Sequence, residues 1–244
     1  MNIYPEEIEI LFMSYAQISF KTEIAANELE INWGDGQISI YRNQSYYMIT
    51  HTYSNEGLRK IHISGSKITE LNLSGLSLVS LILHCPYLEY LNCCRNELNK
   101  LDLSNCPLLE ELYCNSNNIV SLNLSGLPHL QQVNAAYNLL EKLDISDCQT
   151  LNYLHCSNNH LTYLKLGSNH TLLYLDLSNN LLEKETLNEI FRQFKRVLKH
   201  QIIYYLQNPG SDFCDTKILQ LKAYPRYLLV YFLVHSFYFL REKI

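Results

Sequence analysis

A few side chains in this 244-residue sequence are of types that could do chemistry. His155, Cys156 and His160 sit close together, and His84 adjoins Cys85; imidazole and thiolate both ligate zinc. Cys94 stands next to Arg95, the kind of pairing in which a cation favours the reactive thiolate. Asp35, between Gly34 and Gly36, is a carboxylate that could join a calcium site. None of these groups is completed by its neighbours. No cysteine pair is followed by a histidine pair at zinc-site spacing, and one carboxylate is too few for calcium. Gly-Asp-Gly is also a turn composition in its own right. The P-loop, G-x-S-x-G and G-x-G-x-x-G patterns do not occur. These residues predict no catalytic group, no metal and no cofactor, and hence a protein that is not an enzyme.

The elements that must position them come from a repeat. LEYLNCCRNEL (88–98), LEELYCNSNNI (109–119), LQQVNAAYNLL (130–140), LNYLHCSNNHL (151–161) and LLYLDLSNNLL (172–182) align without a gap at a step of 21. Each fits LxxLxLxxNxL, the leucine-rich-repeat signature. Half-units between them repeat the LxxLxL core, as in LNKLDLSNCPL (98–108) and LEKLDISDCQT (140–150). Upstream, Ile61, Leu71, Leu81 and Leu91 step by 10. Two extended segments per coil predict a flattened solenoid with strands on both broad faces. Alternation in LxL sends two apolar side chains inward and one residue outward. A single coil cannot bury that face, so coils must stack. Roughly six coils at about 4.8 Å per strand make a stack of about 29 Å. Asn96, Asn117, Asn138, Asn159 and Asn180 keep the same step and are expected to form a buried ladder that satisfies backbone groups at the bend.

The same alternation picks out an exposed face. Outward places on the main strands are Tyr90, Glu111, Gln132, Tyr153 and Tyr174, then Asn92, Tyr113, Asn134, His155 and Asp176. Beyond them come Cys94, Asn115, Ala136, Ser157 and Ser178, followed by Arg95, Ser116, Tyr137, Asn158 and Asn179. Tyr90, Asn92, Arg95, Tyr113, Asn134, Tyr137, Tyr153, His155, Tyr174 and Asp176 are therefore the candidate partner-binding residues, since tyrosine with Asn, His and Arg anchors proteins or glycans. The alternative is that cross-strand tyrosine pairs only stabilise the sheet. The opposite face, with Lys100, Asp102, Lys142, Asp144, Tyr163 and Lys165, reads as solvated surface. Cys156 would point inward where His155 points out, which separates that pair. A base for Cys94 is also missing, because His155 would lie three main strands away, about 14 Å, beyond hydrogen-bond reach.

Bulk properties narrow the partner. With 19 Lys and Arg against 24 Asp and Glu, the net charge of −5 leaves no basic stripe for phosphates and argues against nucleic acid. Tyrosine is frequent at 19, against 8 Phe and 1 Trp. The eight cysteines form no CxxC pairs and fall mostly at inward places, so buried free thiols are expected rather than a disulfide framework. The first residues lack the basic and apolar regions of a signal peptide, which on sequence alone implies a cytoplasmic protein.

The ends differ from the middle. Residues 1–57 read as strands at 7–13, 16–22, 28–34, 37–43 and 46–53, with INWGDG as a hairpin turn. The stretch 31–65 resembles a PKD-like β-sandwich on the strength of Trp33, Gly34, Asp35, Gly36, His51, Thr52, Tyr53 and Gly57. Such a domain would cap the open edge of the solenoid. After Asn180 helical spacing of Leu187, Ile190, Phe191, Phe194, Val197 and Leu198 predicts an amphipathic helix near 184–199. A strand at 202–207, an NPG turn and a short helix capped by Asp215 follow. The apolar stretch 227–240 is shorter than the roughly 20 residues a spanning helix needs; a packed segment is expected there, with membrane-surface or partner docking as the alternative. The chain thus divides into a cap at 1–57, a solenoid at 58–182, a C-terminal α/β cap at 183–225 and a tail at 226–244, mainly β overall.

Together these features resemble bacterial leucine-rich-repeat proteins common in gut anaerobes, over roughly residues 7–225. The resemblance implies a binding role and a place on the cell envelope. The expected function is a protein-interaction module, with glycan binding as the alternative and a structural subunit docked by its tail as a third reading.

Overall fold

The computed structural model describes residues 6–14, 17–24, 28–42, 46–65, 67–167, 172–194 and 201–220; the apolar tail lies outside them. The N-terminal region forms strands β1 (Glu6–Ser14), β2 (Gln17–Ile24), β3 (Glu28–Asn32), β4 (Ile38–Arg42) and β5 (Tyr46–Thr52). The chain continues through β6 (Gly57–Gly65), β7 (Ile68–Asn72) and β8 (Leu78–His84). Short strands follow: β9 (Tyr90–Asn92), β10 (Glu111–Tyr113), β11 (Gln132–Asn134), β13 (Tyr153–His155) and β15 (Tyr174–Asp176) at one place in successive repeats, and β12 (Lys142–Asp144) and β14 (Tyr163–Lys165) at a second place. The cap comprises α1 (Lys184–Gln193), β16 (Ile202–Tyr204) and α2 (Lys217–Gln220).

A nine-stranded sheet in the order β16-β15-β13-β11-β10-β9-β7-β2-β5 forms the long face. From β7 to β16 the pairing is parallel and in register. The N-terminal strands β2 and β5 extend the same sheet in antiparallel fashion. A five-stranded antiparallel sheet, β4-β3-β6-β1-β8, lies in a second layer. The boundary drawn at 57/58 is crossed by the pairing of β1 with β6 and β8, β2 with β7, and β3 with β6.

The solenoid makes about five turns, not six. The unit at 58–68, expected to open the stack, instead supplies β6, which pairs antiparallel with β1 and β3 in the other sheet. Among the described residues of the regular repeats, the second broad face carries one strand pair, β12 with β14. At 100–102 and 121–123 the half-units pass without strand hydrogen bonding.

The expected ladder is present. Asn138 is buried; its Nδ2 donates to the carbonyls of Cys114 at 3.0 Å and Ala135 at 3.2 Å, and its Oδ1 accepts from the amide of Ile119 at 3.0 Å. Asn117 and Asn159 repeat the pattern one coil either side. Asn96 opens the ladder by accepting from two amides, those of Leu76 and Leu78. Asn208 extends it one place past Asn180, donating to the carbonyls of Leu177 and Tyr205 and accepting from Leu182 N. The step from Asn180 to Asn208 is 28 residues because α1 is inserted, which hides this rung from a 21-residue alignment. Before each of these asparagines the chain turns through a left-handed residue: Arg95, Ser116, Tyr137, Asn158 and Asn179 have φ of 54–58°, and Gln207 has 59°.

Between the layers the leucines and isoleucines of LxxLxL are fully buried. Two columns of thiols run among them, Cys93, Cys114 and Cys156 on one strand position and Cys85, Cys106 and Cys148 on the other, all buried. Ala135 and Leu127 fill the same places in the coil that lacks cysteine.

The two ends are packed differently. In the N-terminal sandwich Trp33 is buried and stacks on His51 at 4.3 Å; His51 Nε2 lies 2.8 Å from Asp35 Oδ2. Tyr53 donates its hydroxyl to the Trp33 carbonyl at 3.0 Å. Gly34, at φ 73°, packs so close to the Lys60 carbonyl that a Cβ would collide with it. At the other end α1 buries Leu187, Ile190 and Phe191. Gln193 accepts the Leu166 amide at 2.8 Å, tying the helix to the last coils. Asp215 caps α2 through the Lys217 amide at 3.1 Å. Helix positions 195–199, including Val197 and Leu198, lie outside the described residues. Among the described residues no helix is long and apolar enough to cross a membrane.

Candidate interaction face

The outward residues of the nine-stranded sheet align into two cross-strand rows. The first runs Glu23, Glu70, Tyr90, Glu111, Gln132, Tyr153, Tyr174, Ile202. The second runs Lys21, Asn72, Asn92, Tyr113, Asn134, His155, Asp176, Tyr204. Parallel in-register pairing is the cause: equal repeat lengths put equivalent side chains about 4.8 Å apart. Most are half-buried, while the leucine or valine between them points inward and is fully buried.

Neighbouring rings touch. Tyr90 and Tyr113 lie tilted at 5.6 Å, and Tyr153 stacks on Tyr174 at 4.5 Å with the planes 10° apart. Tyr204 packs against Tyr174 at 5.8 Å and prolongs the aromatic run into the cap. The Tyr113 hydroxyl lies 3.0 Å from Glu111 Oε2 and 3.2 Å from Gln132 Oε1, and donates to this pair. Burial, reinforced by Glu111, pushes the Tyr113 phenol up to about 12. Burial and then the Asp176 carboxylate push Tyr174 higher still. These phenols therefore stay protonated and act as hydrogen-bond donors.

The other candidates divide between exposed and internally occupied groups. Tyr137 is the most open tyrosine among the described residues, 59% exposed, and Arg95 holds the equivalent left-handed corner two coils away. Asn92, Asn134 and Asp176 each accept the backbone amide two residues on, at 3.1, 3.2 and 2.9 Å. They thus close a side-chain turn at the end of the strand, and Asn72 does the same for Ser74. Asp102, Asn123 and Asp144 repeat the device on the opposite face. His155 stands at the same place but meets Ser157 Oγ at 2.8 Å and Asp176 Oδ2 at 3.3 Å. Two outward assignments change. Ala136 is 1% and Ser157 4% exposed, because the chain bends inward there on its way to the ladder asparagine. Cys94 is half-buried, and burial raises its thiol despite Arg95, which leaves it a poor nucleophile. Among the described residues no group of three metal-ligating side chains converges.

Sequence periodicity missed six contributors. Lys21, Glu23, Glu70 and Asn72 belong to strands before the regular repeat, and Ile202 and Tyr204 follow the inserted helix. The IIYY stretch was a readable strand, but only the structure shows that it continues the face.

No protein-family model matches the sequence, and no curated protein matches it. Among solved structures, the functional domain of InlJ from Listeria monocytogenes, which includes a cysteine ladder, is similar with a TM-score of 0.53 and 31% identity. That likeness covers 63% of this chain and 33% of InlJ's. A leucine-rich-repeat protein of Leptospira interrogans shares 26% identity over 55% of this chain and 36% of its own, with a TM-score of 0.47. This chain therefore spans about a third of each. Repeat, parallel ladder and the likeness to InlJ make the molecule a leucine-rich-repeat solenoid, and both neighbours are bacterial.

Proposed function

We propose that this chain is a protein-interaction module that receives its partner on the long strand face. The observation that carries this reading is the continuous tyrosine run from Tyr153 through Tyr174 to Tyr204, outward-facing and flanked by the exposed Leu173 and Ile202. A sheet needs cross-strand pairs, but it does not need exposed aliphatic residues beside them. Protein interfaces do use clustered aromatic anchors with apolar neighbours and a polar rim. A solenoid that spends its interior on packing has this surface free for function. The N-terminal sandwich, read as a PKD-like cap, would seal one end of the stack.

Glycan binding has weaker support. Sugars stack on open ring faces, and Tyr153 and Tyr174 already cover one face of each other. The test is a pull-down from native cells with wild type, with Tyr153→Ala/Tyr174→Ala and with Tyr163→Ala on the opposite face, each checked for an unchanged unfolding midpoint. Partners lost only with the double variant support the reading. Partners retained by it, or lost with Tyr163→Ala, overturn it, and hits on a glycan array abolished by Tyr113→Ala would replace it with the carbohydrate reading.

A further inference from the structure

The strand face is chemically divided along its length. Toward the N-terminal end its first row presents Glu23, Glu70 and Glu111. Glu89 and Glu110 border that end in the column one residue earlier, where backbone bonds link 69, 89, 110, 131, 152 and 173 in turn. Toward the C-terminal end the same column and rows hold Leu173, Tyr174, Ile202 and Tyr204, together with Asp176, whose carboxylate is engaged by the Ser178 amide and His155.

The acidic end is not neutralised from within. Glu23 and Glu70 stand directly opposite each other across β2 and β7, a like-charge pairing that destabilises a sheet. Burial, then Glu23, Glu111 and Glu89, hold the Glu70 carboxyl above its ordinary value. Among the described residues none of these five glutamates joins an ion pair; the ion pairs lie elsewhere. Lys21 and Arg95 are the cations nearest in the rows and corners described above. A surface that keeps facing carboxylates without ion pairs, hydrogen-bonded only to neutral groups where they are bonded, is complementary to a partner of opposite charge.

We infer that the face takes a basic, extended segment of a partner protein, with Arg or Lys over the Glu70 end and apolar side chains on the Tyr174 end. This rests on the interaction reading above and adds the chemistry of the partner. From β2 to β15 the face crosses six strand spacings, about 29 Å, which an extended segment of about nine residues spans.

The probe is a fluorescein-labelled decapeptide with three arginines in one half and two leucines and a tryptophan in the other, made in both chain directions. A second set carries citrulline for arginine, which keeps the shape and removes the charge. Binding to the full chain is read by fluorescence anisotropy. The arginine peptide is expected to bind in at least one direction, and its citrulline form roughly tenfold more weakly. Glu70→Gln/Glu111→Gln should weaken the arginine peptide to the citrulline level, while Glu183→Gln/Glu185→Gln beside the cap changes nothing. Added salt should weaken the arginine peptide alone. Equal binding of both peptides, no binding of the arginine peptide, or an equal loss with the Glu183/Glu185 control overturns the inference. Loss with Tyr174→Ala but not with the Glu70/Glu111 exchanges overturns the basic partner and leaves the face as a binding surface. Binding indifferent to both sets of changes overturns both.

Discussion

Each ladder asparagine does work that no apolar residue of similar size can do. Replacing Asn138 by Ala strands the Ile119 amide and the carbonyls of Cys114 and Ala135 inside the bend. A buried unsatisfied group costs about 1–3 kcal/mol. Urea unfolding of Asn138→Ala should therefore show a loss of about 2–4 kcal/mol. Asn208→Ala, which removes the same set of bonds at the end of the ladder, should lose a similar amount; a negligible loss would contradict this account of the rungs. The thiols give a second check. Burial pushes Cys106 and Cys114 up to about 12 and Cys148 up to about 11, with Cys85, Cys93 and Cys156 also raised. A thiol reagent at pH 8 should label at most the half-buried Cys94 and Cys214 in the native protein and all eight cysteines in denaturant. Labelling of Cys114 without unfolding would contradict the packing described.

Elements showed their type in the sequence more readily than their partners. The five N-terminal strands, the WGDG hairpin, the Asn column and α1 were all legible, because alternation, turn composition and helical spacing are local signals. What escaped was pairing: that unit 58–68 leaves the stack for the second sheet, and that β2 and β7 add carboxylates to the candidate face. Long-range antiparallel pairing leaves no periodic trace. The Glu23–Glu70 pairing predicts its own pH dependence. Glu70's folded pKa lies above 4.5, so the folded state holds that proton more tightly than the unfolded chain. Its penalty is absent at low pH, appears as pH rises through the folded value and persists above it. Glu70→Gln should raise the unfolding midpoint at pH 7 and leave it unchanged below pH 4.5. The turn at Asp35 has the opposite sign. Burial disfavours its carboxylate, but the His51 contact and the Gln37 amide outweigh burial and hold its pKa below 3.8. Its contribution is present above 3.8 and fades as pH falls through the folded value. Asp35→Asn should therefore lower the midpoint at pH 7, with the difference shrinking as acid is added; a constant difference would show that charge is not the cause.

At the scale of the whole molecule, about five turns of solenoid continue at one end into the N-terminal strands and at the other into α1, β16 and α2. The nine-stranded sheet is the long surface that runs through all of them. The cysteine columns are interrupted in the coil of Leu127 and Ala135. They belong to packing and not to the face. Hydroxyl-radical footprinting of the chain with and without a partner recovered from native cells tests the face most directly. The account predicts that bound partner shields Tyr153, Tyr174 and Tyr204 while Tyr163 on the far side reacts as before. Shielding centred on Tyr163, or no change at the three tyrosines, would contradict it.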